Sequence, residues 1–421
     1  MKSFRSFHVI FMFLLICFAS SAFAAKDEVR IGAIYPLSGP AAATGKDIRQ
    51  AVELAMEIIN GEFDLNLPLA RTKGLPSLGG KTINIVFADS QGNPEKAMTE
   101  AERLITKENV VVIQGAYHSS CVATASQVAE RLSIPFVTCQ ASSPTLHQRG
   151  LKWFFRVAPH DAIFAKNFFS VMKEVQDKKK QNIKKLGIVW ENSLYGRDCS
   201  VIDNQLAKEQ GYEVVADISY TDRAAELTSE VQKVKQSKPD VVLQASHISD
   251  AILFMRTYKE LDVNVDMLFG HGAGFVNAAF IKELGKDAEY ISVWETWSLD
   301  LADKKPLLAK VNELFYSRYG RNMNAQSSTA FTVTFVIADA INRAKSTEPE
   351  KVRDALRMTD MPGEQIIMPW DKIAFDPDTG QNIYATGIVC QILDGKYQLI
   401  WPPHFAAREI VWPMPKWNKR P

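Results

Sequence analysis

The 421-residue sequence has almost no net charge and few cysteines. Lys and Arg number 49 against 48 Asp and Glu, so the formal charge is +1. A nearly neutral chain gives no electrostatic reason to expect nucleic-acid binding. Five cysteines in so long a chain exclude a small disulfide scaffold, and a hydrophobic content of 46% excludes wholesale disorder. The length suggests two or three domains, or one large bilobal unit.

Long hydrophobic runs are also scarce. Lys2 and Arg5 precede an apolar stretch at residues 8–18, and residues 20–24 end in an A-x-A cleavage signal. This three-part pattern predicts a secretory signal peptide at residues 1–24, cleaved before Ala25. The stretch is shorter than a membrane-spanning helix, and no later segment reaches that length. An anchored form lipidated at Cys17 is the alternative, although bulky Ile16 disfavours it.

Removal of residues 1–24 takes away two basic residues and no acid, which leaves the net charge near zero. The mature protein is therefore expected to be soluble in an exported, oxidising compartment. Four cysteines allow three complete pairings, and separate buried thiols are the simpler alternative. These cysteines are Cys121, Cys139, Cys199 and Cys390.

Predicted strands and helices alternate along the chain and change character only in its last third. Such alternation favours parallel sheets with helices on both faces, and two runs of it favour two doubly wound α/β lobes. Strands are predicted at 29–35, 83–88, 110–114, 134–138, 186–190, 213–218, 240–244, 267–269, 291–294, 372–375, 386–393 and 396–401. Helices are predicted near 48–59, 94–105, 122–132, 196–210, 226–236, 250–261, 277–284, 306–319, 327–344 and 349–358.

Three segments resemble motifs of catalytic, nucleotide or metal sites but lack an essential part. The segment 39–47 has five residues between its glycines instead of the four of a phosphate loop, and it ends in Asp47. The glycine-rich segment 270–274 lacks the third glycine of a dinucleotide site, and no G-x-S-x-G accompanies it. The segment 376–380 is half a calcium loop and is better explained as a hairpin turn. The sequence therefore predicts no catalytic residue, cofactor or metal.

A series of loop motifs resembles the Leu/Ile/Val-binding family of periplasmic substrate-binding proteins. The members of this family are the extracytoplasmic receptors of ABC importers. The resemblance covers about residues 28–400, and the motifs occur in the family's order and spacing. They lie at residues 35–39, 87–94, 115–120, 141–146, 155–157 and 195–196.

The residues in these loops suit a carboxylate. Each loop follows the carboxyl end of a predicted parallel strand, where open α/β sheets bind ligands. Ser119 and Ser120 precede a helix, whose N-terminal N–H groups and the Ser hydroxyls form an anion site. Ser142 and Ser143 follow the next strand and can add donors to the same anion. The alternative is that Ser119 and Ser142 are ordinary cap or turn residues.

The resemblance implies a role for several side chains. Ser119 and Ser142, with the backbone of Gln140, would hold the ligand's carboxylate, and Tyr195 would close over it from the second lobe. The alternative is that Tyr195 packs against the hinge. Tyr35 and His118 are further ligand-binding candidates.

Two other polar residues in these motifs are expected to order loops. Asp89 is predicted to order its loop as a cap rather than to contact ligand. Arg156 is predicted to tie loops together near the first crossover.

The sequence departs from the amino-acid receptors of the family at one place. Those receptors present an acid to the ligand's ammonium group from the loop after the strand near residue 269. Ala273 occupies the matching position here, and His247 stands where the family often has Tyr. Asp250 and Glu295 are possible substitute acids, although each can equally be a cap or a surface residue. An unpartnered ammonium would leave a buried charge uncompensated.

The identity of the ligand therefore stays open between an amino acid and an aromatic or other organic acid. A group of rings can either surround an aromatic acid or belong to the core. The group consists of His118, His247, His271, Phe275 and Trp294.

The resemblance implies a type I periplasmic binding fold with two lobes and three crossover hinge segments. Residues 25–158 with 290–364 would form the first lobe, 159–289 with 365–401 the second, and 402–421 an extended tail. The implied function is capture of a small carboxylate-bearing solute by hinge closure, with delivery to an inner-membrane ABC permease by a periplasmic monomer. A sensor of the same fold that docks on a receptor and an exported hydrolase are the alternatives.

Overall fold

The computed structural model describes residues 28–420, so the predicted signal peptide at 1–24 lies outside the described residues. The strands are β1 Glu28–Tyr35, β2 Thr82–Asp89, β3 Val112–Gly115, β4 Phe136–Thr138, β5 Phe154–Arg156, β6 Lys185–Glu191, β7 Glu213–Tyr220, β8 Val241–Ala245, β9 Met267–Gly270, β10 Ser292–Glu295, β11 Asp360–Pro362, β12 Lys372–Ala374, β13 Ile388–Leu393 and β14 Lys396–Trp401. The α-helices are α1 Ala42–Asn60, α2 Pro94–Thr106, α3 Ser119–Arg131, α4 Asp161–Lys179, α5 Leu194–Gln210, α6 Thr228–Ser237, α7 Ile248–Glu260, α8 Ala278–Leu284, α9 Pro306–Tyr319, α10 Ala325–Ala344 and α11 Pro349–Arg357.

The first lobe is built on a five-stranded parallel sheet in the order β2-β1-β3-β4-β5. Adjacent residues of β3 point to opposite faces, so Val112 joins the apolar cluster under α1 and α10, while Ile113 joins the one under α2 and α3. Because the strands are parallel, their carboxyl ends all meet at one edge of the sheet.

The second lobe is built on a seven-stranded sheet in the order β14-β13-β10-β9-β8-β6-β7. The run from β10 to β7 is parallel, whereas β13 pairs antiparallel with both of its neighbours, β10 and β14. Both sheets have helices packed against them, which confirms the predicted α/β fold.

Two of the predicted lobe boundaries cut through paired strands. The division at residue 290 assigned Ser292–Glu295 to the first lobe, but β10 pairs with β9 and β13 in the second sheet. The division at residue 364 separates β11 from β12, which form a small antiparallel sheet of their own. The second crossover therefore follows β10, and the third lies between β12 and β13. Burial alone could not assign β10, because all four of its residues are buried and fit either sheet.

Helix α4 has no counterpart among the sequence predictions. Its buried residues include adjacent pairs, Phe168 with Phe169 and Val171 with Met172. The helix contacts α5 on one side and the strands β10 and β13 on another. Apolar residues on more than one face weaken the 3.6-residue periodicity from which a helix is predicted.

The C-terminal tail runs along the second lobe. Its described part has a single short 3-10 turn at Trp417–Lys419 and otherwise no helix or strand. The Val411 N–H donates to Gln391 Oε1 at 2.9 Å, and the Met414 N–H donates to the Asp266 carbonyl at 2.7 Å. Trp412 is buried against the second lobe, so the extended tail is part of its packing.

The four cysteines of the described chain are free and buried, so none of the three possible disulfide pairings is present. Burial raises the pKa of the Cys121 thiol to about 12, which makes it a poor nucleophile. These cysteines therefore act as small core residues.

Candidate ligand-binding site

Two small cavities with three lining residues in common lie between the lobes, at the carboxyl ends of the parallel strands. The inner cavity has a volume of about 20 Å³ and the outer one about 60 Å³. The inner cavity is lined by Tyr117, Ser119, Gln140, Ser142, Tyr195, His247, Ala273, Trp294 and Gln326. The outer cavity shares Ser119, Tyr195 and His247 and is also lined by Pro40, Ala41, Gln91, Gly92, His118, Ser120, Glu191, Ser193, Asp222, Arg223, Ile248, Ser249 and Asp250.

The wall from the first lobe, called here the first-lobe wall, consists of Ser119, Gln140 and Ser142. Ser119 is the first residue of α3, and the His118 side chain before it makes no capping hydrogen bond. The N–H groups in the first turn of α3 therefore point toward the cleft without a side-chain cap. Ser119 Oγ accepts a weak hydrogen bond of 3.4 Å from the Ser143 N–H, which brings the loop after β4 beside the helix. This arrangement suits an anion.

Gln140 is fixed to the helix that completes the first-lobe wall. Its Nε2 donates to the Gln326 carbonyl at 3.2 Å and to Thr329 Oγ1 at 3.4 Å. Both partners belong to α10, so the loop after β4 cannot shift without breaking these bonds.

The second-lobe wall consists of Tyr195, His247 and Ala273. Behind it, the Glu191 carboxylate accepts hydrogen bonds from the His247 N–H at 3.0 Å and from Ser193 Oγ at 2.7 Å, and both its oxygens lie 2.7 Å from His247 Nδ1. Burial opposes the charging of both groups. The partner charge outweighs it, so the pKa of His247 is raised and the pKa of Glu191 is lowered. The pair therefore favours the protonated form of His247, whose ring lines the inner cavity.

Tyr195 is held by the backbone of a residue that belongs to a second buried pair. The Tyr195 hydroxyl donates to the backbone carbonyl of His271, while the His271 side chain places its Nε2 2.7 Å from Asp203 Oδ2. Both side chains of this pair are 1% exposed. Burial favours the neutral imidazole, but the Asp203 charge outweighs it and raises the pKa of His271. His271 does not line the inner cavity, and its backbone carbonyl positions the Tyr195 hydroxyl.

The glycine-rich segment 270–274 lets Ala273 reach the cavity. Gly272 has a φ of 48°, and a side chain there would overlap the Trp294 ring. The opposite face of Trp294 stacks on Phe164 with ring centroids 3.5 Å apart. The glycines therefore allow close packing against Trp294 and do not form a phosphate-binding loop.

A buried acid lies next to the first-lobe wall. Asp161 begins α4, and its N–H donates to the Ser142 carbonyl at 2.9 Å. Burial raises the pKa of Asp161 to about 6, although the Ser142 hydroxyl and the charges of His271 and Arg156 act in the opposite direction. Asp161 does not line either cavity.

The lobes also touch elsewhere. Ser143 Oγ of the first lobe donates to Asp198 Oδ2 of the second. Asn277 Nδ2 donates to Thr44 Oγ1 at 2.6 Å. The His118 ring lies 4.7 Å from the His247 ring, centroid to centroid. Burial lowers the pKa of His118 well below its ordinary value, so a neutral His118 ring faces the ring of His247.

The structure brings most of the predicted site residues together. Ser119, Gln140, Ser142, Tyr195, His247 and Ala273 line the inner cavity, whereas Ser120 and His118 line the outer one. Tyr35 lines neither cavity, because it is fully buried at the end of β1.

The remaining candidates lie in three different places. Trp294 lines the inner cavity, while Phe275 packs on Phe280 in the core. Of the possible substitute acids, Asp250 lines the outer cavity and Glu295 is buried away from both.

The two residues predicted to order loops do so. Asp89 accepts hydrogen bonds from the N–H groups of Leu37, Ser38 and Gln91. Arg156 donates to the carbonyls of Ala141 and Ser143 and to Gln381 Oε1. It therefore ties the loop after β4 to the third crossover.

Several residues of the site were not predicted, among them Tyr117, Glu191 and Gln326. Tyr117 stands within a quoted motif, so its position was a usable signal. Glu191 ends β6 two residues before the α5 cap, and an acid at a strand end of the binding edge is also a signal. Gln326 lies in the first turn of α10, far along the chain, and nothing local points to it.

A larger cavity lies elsewhere in the described chain. It measures about 610 Å³ and lies between residues 64–71 and 301–310, and no predicted site residue lines it. Lys305, one of its lining residues, donates to the carbonyls of Gly363 and Ile366 at 2.7 and 3.0 Å. Lys305 thus serves local structure, and volume alone assigns the cavity no ligand.

No helix within residues 28–420 is long and apolar enough to cross a membrane. The same residues contain no cluster of three or more His, Cys, Asp or Glu that could hold a metal ion.

A two-lobed α/β protein with cavities between its lobes, at the carboxyl ends of the parallel strands, has the architecture of a solute-binding protein. The chain belongs to the periplasmic binding protein family, whose model matches residues 28–395. The family and the relatives below are substrate-binding proteins rather than enzymes.

Relatives extend over nearly the whole chain. Leu/Ile/Val-binding protein homolog 7 of Brucella suis is 29% identical over 413 residues, which is 96% of this chain and 99% of the relative. A leucine-binding protein from Thermotoga maritima matches with a TM-score of 0.75 and 20% identity, over 88% of this chain and 97% of that one. A solute-binding protein of an ABC transporter from R. palustris, solved with benzoate, matches with a TM-score of 0.73 and 18% identity, over 89% and 95% of the two chains. At these identities the structural matches support the fold.

Proposed function

We propose that the protein is the extracytoplasmic receptor of an ABC importer, which captures a small carboxylate-bearing solute between its lobes and delivers it to an inner-membrane permease. The observation that carries this proposal is the first-lobe wall. Two hydroxyls, Ser119 and Ser142, and the first turn of α3 converge on one small cavity. A ligand carboxylate can accept hydrogen bonds from all of them.

Tyr195 and His247 would complete the grip from the second lobe. The inner cavity holds little more than a water molecule while the lobes touch. A solute therefore requires the lobes to separate and close again, with contacts to both walls stabilising the closed state. Export through a cleaved signal peptide at residues 1–24 and a monomeric state are part of the proposal.

The test starts with protein isolated from the periplasm, where the intact mass should correspond to a chain that begins at Ala25. A thermal-shift screen would then use L-amino acids, aromatic acids and dicarboxylates. A ligand at a hundredfold excess over its Kd should stabilise the protein by about 2.7 kcal/mol.

Variants of the first-lobe wall identify the site. Ser119→Ala and Ser142→Ala should each weaken the tightest carboxylate about tenfold, because each loses a hydrogen bond to a charged group. Ser317→Ala, an exposed position, is the matched control. Unchanged affinity in both wall variants would overturn the carboxylate assignment.

A further inference from the structure

The inner cavity contains no carboxylate side chain. Its titratable lining residues are Tyr117, Tyr195 and His247, and neither Asp nor Glu is among the lining residues. His247 carries Glu191 on Nδ1, so a ligand meets the opposite side of the His247 ring. The lining of this cavity therefore offers hydrogen-bond donors to an anion and no counter-charge to a cation.

Most acids near the cavity are already bound by other groups, while Asp161 lies beside Ser142 without lining either cavity. Glu191 is occupied by His247 and Ser193, and Asp203 pairs with His271. In the outer cavity Asp250 accepts the Arg223 N–H at 2.9 Å. Asp222 lies 3.9 Å from the Arg223 guanidinium. Freeing any of the buried carboxylates would leave its present partner unsatisfied.

The position of the carboxylate fixes that of its neighbouring atoms. In an α-amino acid the ammonium group is on the carbon next to the carboxylate, so a carboxylate held by Ser119 and Ser142 places the ammonium among the same lining residues once the lobes have opened to admit the ligand. There it would meet Ala273, Trp294 and His247 instead of an acid. We infer that the ligand is a small organic carboxylate without an α-ammonium group. This inference rests on the proposed function, because it takes the carboxylate position from it.

Ala273 is the place where the missing charge can be restored. Its φ of 41° lies in the left-handed region, which Asp and Asn tolerate better than other side chains do. Ala273→Asp would add a carboxylate on the second-lobe wall, and Ala273→Asn is an uncharged control of the same shape. Any difference between these two variants reports the charge and not the added volume.

The experiment measures affinity for pairs of compounds that differ only in the α-ammonium group. The pairs are L-leucine with 4-methylpentanoate and L-phenylalanine with 3-phenylpropanoate, and benzoate is included as a reference. In the natural protein the acid of at least one pair should bind about tenfold tighter than its amino acid, or more. Ala273→Asp should shift this ratio toward the amino acid by about tenfold relative to Ala273→Asn.

The outcomes separate the inference from the proposed function. If an amino acid binds as tightly as its acid or tighter, and Ser119→Ala weakens both, the inference is wrong and the carboxylate site stands. If no carboxylate of the wider screen binds, or Ser119→Ala and Ser142→Ala change nothing, the proposed function fails and the inference fails with it. Should Ala273→Asp not fold, the ratio in the natural protein still decides.

Discussion

The two walls of the cleft are built from different chemistry. The first-lobe wall consists of hydroxyls, an amide and backbone N–H groups at a helix terminus. The second-lobe wall is supported by two buried acid–histidine pairs, Glu191 with His247 and Asp203 with His271. Dipoles suit a group that every ligand shares, such as a carboxylate, because they need no counter-charge. Buried charges are sensitive to what lies beside them, so we expect the second lobe to discriminate between ligands.

The difference also predicts where the protein is vulnerable. Loss of one hydroxyl dipole lowers the free energy of unfolding only a little. Loss of one partner in a buried acid–histidine pair lowers it more, because the other polar group stays buried without compensation. Substitutions on the second-lobe side should therefore affect stability and pH dependence more strongly than those on the first-lobe wall.

The largest effect is expected at Asp203. Asp203→Ala would leave the His271 ring buried without its partner, and should lower the free energy of unfolding by about 3–5 kcal/mol. Urea denaturation measures this loss. Ser142→Ala, which removes a hydroxyl from the first-lobe wall, is the comparison and should cost about 1 kcal/mol. Equal losses in the two variants would show that the walls do not differ in this respect.

Local sequence was sufficient for the first-lobe wall and insufficient for the pairs behind the second. Ser119 and Ser142 each follow a predicted strand within a few residues, so the carboxyl-end rule located them. Glu191 and His247 are 56 residues apart, and Asp203 and His271 are 68 apart. Pairing over such distances depends on strand order, which periodicity does not give.

Strand order also accounts for the misplaced boundary at residue 290. The segment Ser292–Glu295 reads as a buried strand in either lobe, and only its hydrogen bonds to β9 and β13 assign it to the second. Helix α4 was missed for a related reason, since contacts on several faces removed its periodicity.

The next largest effect concerns pH. The pKa of Asp161 is about 6 in the folded chain against an ordinary value of 3.8. Between these values the folded state holds a proton that the unfolded state has lost, so the contribution of Asp161 to stability falls as the pH rises and is lower by about 3 kcal/mol above pH 6. Asp161→Asn removes this fall and should be more stable than the natural protein at pH 7, by up to about 3 kcal/mol, but not at pH 4.

Urea denaturation of both proteins at the two pH values measures the difference. Asp64→Asn is the matched control, because the Asp64 side chain is exposed on the first lobe. A stability difference between Asp161→Asn and the natural protein that does not change with pH would contradict the burial of a titrating acid beside the first-lobe wall.

The smallest effect is expected at the hydrogen bonds between the lobes outside the cavities. It tests whether the contrast between dipoles and charges extends to closure of the lobes. Ser143 contributes a hydroxyl and Asp198 a carboxylate, whereas Thr44 and Asn277 are both uncharged. Ser143→Ala should weaken ligand binding about tenfold or more, and Thr44→Val about fivefold, because hydrogen bonds to charged groups are worth more than neutral ones. Calorimetric titration with the tightest carboxylate of the screen measures both. Each variant destabilises only the closed state, so the apparent affinity falls with the closed population while the ligand's own contacts remain. A larger loss in Thr44→Val than in Ser143→Ala would mean that the charge of the second lobe has no special part in closure.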